Sequence, residues 1–215
     1  MKHLAIIADG NRRWAVKNGL PKEAGYPQGL IVIERCCLWC IQNGVDFLSV
    51  FCFSSENWGR AQTEIDGIFT LARQYFDSRR EWYVENGIRV QFRGRRDRLP
   101  KDILESMDRL ETATEKSDSL TLIICCDYGG RDEIIRTVNG GAATENDISK
   151  AMNKLTPDPE VIVRTGGRHR LSNFMLWQAA YSEIFFTDKL FPDLDEMDLN
   201  DIESWFEQQV RTFGR

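Results

Sequence analysis

The sequence predicts an α/β fold, a mostly parallel sheet flanked by helices in a single domain spanning residues 1–215. Short, continuously apolar runs alternate with longer helical stretches along the chain. The strand runs lack the polar alternation of half-exposed strands, as expected where helices cover both faces of a sheet. A length of 215 residues with 42% hydrophobic side chains suits one core, and 28% charged residues is an ordinary globular balance, neither disordered nor collagen-like.

Taken in order, strands are expected at 3–7, 47–53, 88–93, 120–125 and 161–164, with a short sixth near 183–186. Helices are expected at 29–43, 63–86, 101–116, 131–139, 145–154 and 199–211. Gly44 and Gly87 follow two of these where a C-terminal cap belongs, and Pro100 stands near the first turn of a third. The polar stretch 139–146 reads as a surface loop, and no repeat or low-complexity tract is present.

Charge and cysteine usage narrow the function. Lys plus Arg is 28 against 33 Asp plus Glu, a net of −5, so bulk positive charge cannot hold a nucleic acid and an anionic partner needs a local basic cluster. No apolar run approaches the roughly 18 residues of a membrane-spanning helix, and the one at the start is too short for a signal peptide. Cys37 and Cys40 have C-x-x-C spacing. Ile31, Ile33, Leu38, Trp39 and Ile41 around them, and only two histidines in the chain, favour buried thiols in a reducing cytoplasm over a metal or redox pair.

Ligands of parallel sheets bind beyond the carboxyl ends of the strands. Asp9-Gly10-Asn11-Arg12-Arg13 follows the first strand, Ser54-Ser55-Glu56-Asn57-Trp58 the second, Asp127-Tyr128-Gly129-Gly130-Arg131 the fourth, and Arg164-Thr165-Gly166-Gly167-Arg168-His169-Arg170-Leu171-Ser172-Asn173 the fifth. Glycines, hydroxyls, guanidinium groups, amides and a carboxylate suit phosphate oxygens plus a hard metal ion. Each segment has a plainer reading. Asp9 could cap a helix, the 164–172 arginines could pair with the acidic stretch 193–207, and Thr63 could cap the helix after a 59–64 loop that otherwise forms a lid. Ile65, Ile68, Phe69, Ala72 and Phe76 share one helix face, which suits either core or an apolar channel. Walker A and G-x-G-x-x-G motifs are absent, and His169 has only His3 for company.

His3 through Ala15, Phe53-Ser-Ser-Glu-Asn-Trp58, Tyr128-Gly-Gly-Arg131, Arg164-Thr-Gly-Gly with His-Arg-Leu-Ser-Asn-Phe174, Leu176-Trp-Gln, Tyr181-Ser-Glu-Ile-Phe-Phe186, Phe191-Pro-Asp193 and Val210-Arg-Thr-Phe-Gly214 together resemble the cis-prenyltransferases, whose type member is undecaprenyl diphosphate synthase. The match runs in order over nearly the whole chain. It implies a parallel six-stranded α/β fold with a hydrophobic tunnel, usually a homodimer, and Mg²⁺-dependent condensation of isopentenyl diphosphate with an allylic prenyl diphosphate to form a Z double bond.

By the same resemblance Asp9 manages Mg²⁺ and diphosphate departure, with Asn57 as the second catalytic candidate and Glu183 as a second metal carboxylate. Gly10, Asn11, Arg12, Arg13, Trp14, Lys22, Tyr26, Ser54, Trp58 and Arg60 fall on the allylic diphosphate side, with Glu64 in the loop that closes over substrate. Arg164, Arg170 and Ser172 match the isopentenyl diphosphate site. The ending from Arg211 to Gly214 resembles a tail reaching the partner subunit. Cys52, Leu120 and the 63–86 helix are candidates for the tunnel floor, and a long product would draw the enzyme to a bilayer surface.

Tyr26 and Gln28 depart from a family His and an often basic residue, Lys22 stands where Arg is common, Arg168 replaces a Glu, and Asp127 stands where Asn is common. These changes keep a lavandulyl-type enzyme, which joins two allylic units irregularly, as the alternative. Retention of Asp9 and the arginines weighs against a non-catalytic partner subunit.

Overall fold

The computed structural model describes residues 1–211. Within them six strands, β1 (His3–Ile7), β2 (Phe47–Ser54), β3 (Ile88–Arg93), β4 (Leu120–Tyr128), β5 (Val161–Arg164) and β6 (Glu183–Phe186), form one sheet in the order β3-β4-β2-β1-β5-β6. Every neighbouring pair is parallel. Seven helices of the described residues surround it: α1 (Asn11–Lys17), α2 (Gly25–Gln42), α3 (Gln62–Glu85), α4 (Lys101–Thr114), α5 (Gly130–Asn139), α6 (Glu145–Met152) and α7 (Glu196–Glu207).

Alternate residues of each strand serve opposite layers. Leu4, Ile6, Leu48, Val50, Leu122 and Ile124 pack on one face with Val32, Ile33, Cys36, Cys37 and Cys40 of α2 and with Ile65 and Phe69 of α3. Ala5, Ile7, Ile123, Cys125 and Ile162 pack on the other with Phe174 and Met175. Both faces are therefore covered, which is why the strands read as unbroken apolar runs.

Helix starts differ from expectation where capping, not periodicity, sets them. α2 begins at Gly25, four residues early, because Pro27 lies in the first turn, where its missing N–H costs no intrahelical bond. α3 begins at Gln62 after Ala61, which makes no side-chain cap, so Thr63 is not the cap. α7 begins at Glu196, with Asp195 and Asp198 forming a reciprocal capping box, and ends at Glu207. Thr144 and Asp147 do the same for α6, at the end of the predicted loop.

β2 and β4 run on to Ser54 and Tyr128, each with an inserted residue. Phe51 pairs with Cys125, Phe53 with Cys126 and Ser54 with Tyr128, leaving Cys52 and Asp127 as extra residues. Such bulges re-aim side chains near sheet ends, and both do so here. Four cysteines are buried as expected, whereas Cys126 is half-buried and Cys52 is exposed.

Candidate active site

Asp9 leaves the carboxyl end of β1 beside the last residue of β5. Its backbone N–H donates to Thr165 Oγ1 at 3.0 Å, and the Thr165 hydroxyl donates to the Asp9 carbonyl at 2.7 Å. The carboxylate bridges two arginines, accepting from Arg13 Nη2 at 3.0 Å and from Arg164 Nη2 at 2.9 Å. Arg164, with a side chain only 5% exposed, also donates to Ser172 Oγ and to the Arg170 carbonyl, both at 2.6 Å, while its Nε is buried without a partner. The first and fifth strand ends thus share one cluster. Arg164 pairs with Asp9, not with the acidic stretch 193–207.

Gly10 makes the turn from Asp9 into α1 at φ +114°, a backbone that favours glycine, and a Cβ there would lie 2.9 Å from Leu190 Cδ2. α1 then presents its opening N–H groups, which have no intrahelical acceptor, beside Arg12 and Arg13. Asn11 donates Nδ2–H to the Ala8 carbonyl at 3.1 Å, and its Oδ1 is buried without a partner.

Arg12, Tyr26, Arg60 and Glu64 meet from four segments. The Tyr26 hydroxyl donates to Glu64 Oε1 at 3.0 Å and accepts from Arg60 Nη1 at 2.9 Å. Arg60 Nη1 and Arg12 Nη1 lie 2.9 and 3.3 Å from the same Glu64 oxygen. Burial alone would raise the Glu64 carboxyl, but the Tyr26 hydroxyl and the two guanidinium groups hold it below the usual range.

The second strand end is fixed by its own side chains. Ser54 and Asn57 form a reciprocal capping box around the turn Ser55–Gly59, the Ser54 N–H donating to Asn57 Oδ1 at 3.1 Å. Trp58 donates its indole N–H to Asp127 Oδ1 at 2.9 Å. Asp127 is fully buried at φ +47°, a left-handed backbone that Asp and Asn tolerate better than most residues. Arg98 grips the same carboxylate with Nε at 2.9 Å to Oδ2 and with Nη2 on Oδ1. This Arg98–Asp127–Trp58 anchor was not expected. Its only signal was Asp127 itself, an acid after an apolar strand.

A cavity of about 1180 Å³ opens at these groups. Asp9, Asn11, Arg12, Arg13, Lys22, Tyr26, Asn57, Arg60, Arg164 and Ser172 line its polar mouth. Phe53, Ile68, Phe69, Ala72, Phe76, Tyr83 and Ile103 line its apolar depth. Cys52 faces this space, aimed by its bulge; its exposure is toward the cavity, and the protein around it, by shielding it from bulk water, pushes its thiol up to about 12.

Some expected site residues stand elsewhere. Glu183 opens β6 opposite Val161, at the amino end of the sheet, so one chain does not bring it to Asp9 beyond the carboxyl end. Trp14 turns its indole N–H to Asp193 Oδ1 at 2.6 Å and does not line the cavity. Arg170 is exposed and gives the cluster only its carbonyl. Trp58 acts from behind the wall, against Phe53 and Phe69. Leu120, at the amino end of β4, is core and no part of the floor. His3 is a core histidine, contacting Ser49 Oγ at 2.8 Å and the Pro157 carbonyl at 2.7 Å. Arg211 reaches Glu160 of its own chain at 3.2 Å, and the expected tail beyond it lies outside the described residues.

Arginines, amides and a serine hydroxyl thus share one cavity with a set of apolar side chains. The family described as "Putative undecaprenyl diphosphate synthase" matches residues 7–214. The chain belongs to that family, the cis-prenyltransferases, and is a prenyltransferase. It is 39% identical to an isoprenyl transferase of Aquifex pyrophilus, covering 100% of this chain and 96% of the relative. It is 40% identical to one from Neisseria meningitidis serogroup B, covering 100% and 89%. Among solved structures, lavandulyl diphosphate synthase from Lavandula x intermedia in complex with dimethylallyl diphosphate superposes with a TM-score of 0.95 at 28% identity, covering 100% of this chain and 98% of that one. A probable undecaprenyl diphosphate synthase from Campylobacter jejuni gives 0.86 at 33% identity, covering 100% and 99%.

Proposed function

We propose that this prenyltransferase condenses isopentenyl diphosphate with an allylic prenyl diphosphate, with Mg²⁺, to give a Z-prenyl diphosphate. The observation that carries the reading is the Asp9–Arg164 contact, 2.9 Å across the carboxyl ends of β1 and β5, at the mouth of a cavity whose depth is apolar. The allylic C–O bond breaks and pyrophosphate leaves. The isopentenyl double bond supplies the electron pair of the new C–C bond, and a proton passes from the carbon beside the resulting cation to the released pyrophosphate, the base the step itself supplies. Negative charge grows on the leaving group. Arg12, Arg13, Arg60 and the open N–H groups of α1 are placed to stabilise it without reorganising. Arg164 and Ser172 hold the second diphosphate, Asn57 orders the turn over the mouth, and the apolar depth keeps the cation and the growing chain from water.

The donor set fits Mg²⁺. This ion takes one or two protein carboxylates and completes its octahedron with water and substrate phosphates, so an all-protein cage is not required. Among the described residues no cluster of three or more His, Cys, Asp or Glu is found, and of the two carboxylates that line the cavity, Asp9 and Glu56, Asp9 is the one that would hold the ion, since Glu56 is engaged by Asn173. When bound, Mg²⁺ would neutralise charge on the departing pyrophosphate.

A second reading, irregular coupling of two allylic units, is favoured by the superposition on lavandulyl diphosphate synthase. Purified chain incubated with Mg²⁺, isopentenyl diphosphate and dimethylallyl, geranyl or farnesyl diphosphate decides between them by product chromatography. Linear Z products are expected. Branched products from dimethylallyl diphosphate alone would establish the second reading, and no turnover would establish a non-catalytic role. We assign the chain to the cytoplasm as a homodimer on the family resemblance, with sedimentation as the test of assembly. No described helix is long and apolar enough to cross a membrane.

A further inference from the structure

We propose that Asn173 is a positioning residue that couples the two diphosphate sites, by tying the loop that carries Ser172 to the turn that carries Asn57. The inference rests on the proposed two-diphosphate reaction and goes beyond it, because Asn173, which lines the cavity next to Ser172, is not among the groups assigned to either substrate.

The backbone is left-handed at Ser172 (φ +49°), Asn173 (φ +65°) and Met175 (φ +42°). Non-glycine residues rarely adopt this conformation, and three so close together persist only where the surroundings over-determine them. The Asn173 side chain is what the surroundings grip. Its Nδ2–H donates to Glu56 Oε1 at 2.8 Å, and its Oδ1 accepts the Arg131 N–H at 2.9 Å. Its carbonyl accepts the Gly130 N–H at 2.7 Å. The amide cannot be turned over, since that would set oxygen against a carboxylate and an NH₂ group against an N–H. Gly129 shows how tightly the three segments meet. A Cβ there would lie 2.4 Å from Ser55 Oγ and 2.8 Å from Asn173 Nδ2. Glu56 is poised as acceptor: burial would raise its carboxyl, but the Asn173 bond first, and the Ser54 and Ser55 hydroxyls after it, hold it below the usual range.

The contacts then run in one line. Asp9 holds Arg164, Arg164 holds Ser172, Asn173 follows Ser172 and holds Glu56, and Glu56 precedes Asn57. A diphosphate that settles the loop at Ser172 settles Asn57 as well, before an allylic substrate arrives. The converse holds by linkage.

The test is calorimetric. The affinity of isopentenyl diphosphate is measured with and without a non-reactive allylic thiolodiphosphate, in the parent and in Asn173→Gly, Glu56→Ala, Glu56→Gln and the Asn173→Gly/Glu56→Ala pair. Glycine at 173 keeps the left-handed backbone and deletes only the amide, and the Glu56→Gln change keeps an acceptor. In the parent the allylic analogue is expected to tighten isopentenyl diphosphate binding about fivefold or more. In Asn173→Gly and Glu56→Ala that ratio falls to one, the pair loses nothing further, and Glu56→Gln keeps most of it. A ratio of one in the parent, an unchanged ratio in Asn173→Gly, or additive losses in the pair would overturn the proposal. If Asn173→Gly fails to fold, Glu56→Ala at its exposed site decides the same question. A parent that binds neither diphosphate refutes the reaction itself, which is a distinguishable result.

Discussion

Replacing Arg98 by Met tests whether the Asp127 anchor holds the second strand end in place. Asp127 is fully buried and its carboxylate is shared by Arg98 and the Trp58 indole N–H. Removing one partner of a buried ion pair costs about 3–5 kcal/mol, because a buried charge is left uncompensated. The Arg98 side chain is 36% exposed, so water can partly replace it, and the lower end, about 3 kcal/mol, is expected. For a chain of this size each kcal/mol lowers Tm by about 2–4 °C, so the melting temperature should fall by roughly 6–12 °C, with a matching drop in the urea midpoint. Asp127→Asn keeps both the acceptor for Trp58 and the tolerance for φ +47°. The Arg98→Met/Asp127→Asn pair removes both charges and should therefore be more stable than Arg98→Met alone. A loss below about 1 kcal/mol in Arg98→Met, or a pair less stable than Arg98→Met, would refute the reasoning.

Asp9→Ala should lower kcat by about 10³-fold or more, as loss of groups that handle transition-state charge does, while circular dichroism stays unchanged because the Asp9 main chain keeps its two bonds to Thr165; equal turnover in variant and parent would remove Asp9 from the mechanism. Burial lowers His3 to about 4 from its ordinary value of 6.5. The unfolded chain therefore binds the extra proton between those values, and stability must fall as pH drops from about 6.5 to 4, by about 3 kcal/mol. Urea titrations across that window should show the slope in the parent and its loss in His3→Gln; parallel curves would contradict it. Cys52, with its thiol pushed up to about 12, should be alkylated by iodoacetamide at pH 8 roughly 50-fold more slowly than a free cysteine, because the loss of thiolate outweighs its greater intrinsic reactivity. Prompt stoichiometric labelling at that position, read by mass spectrometry, would show that the cavity does not desolvate it.

The strands were legible because burial on both faces writes an unbroken apolar run into each. Asp9, the arginines at 12, 13 and 164, and Ser172 were legible because each lies at or just after a strand's end, and a parallel sheet gathers such positions on one side. What failed to show was mostly local geometry. A bulge moves one residue out of the strand's alternation, so nothing in the order Cys125-Cys126-Asp127 announces that Asp127 points at Trp58 while Cys52 points into the cavity. Glu183 and Leu120 mislead for a complementary reason. Both open strands, and residues at the amino end of a parallel sheet are a strand's length from the cleft. Tyr26 reads as a lost imidazole in sequence, yet its hydroxyl joins Arg60 to Glu64, a partnership visible only once α2 and α3 are side by side.

The order β3-β4-β2-β1-β5-β6 has a bearing on how the protein comes into being. β1 is the middle of the reaction cleft, but its two flanks are made at very different times: β2 soon after it, β5 only once some 155 residues have followed Asp9. Until then only four of the six strands exist, β1 is an open edge, and the Asp9 carboxylate has Arg13 but not Arg164 against it. Pairings so distant in the chain are slow to find. A nascent or truncated chain that ends before β5 therefore lacks the Asp9–Arg164 contact on which the proposed function rests, and activity should switch on abruptly when the fifth strand docks.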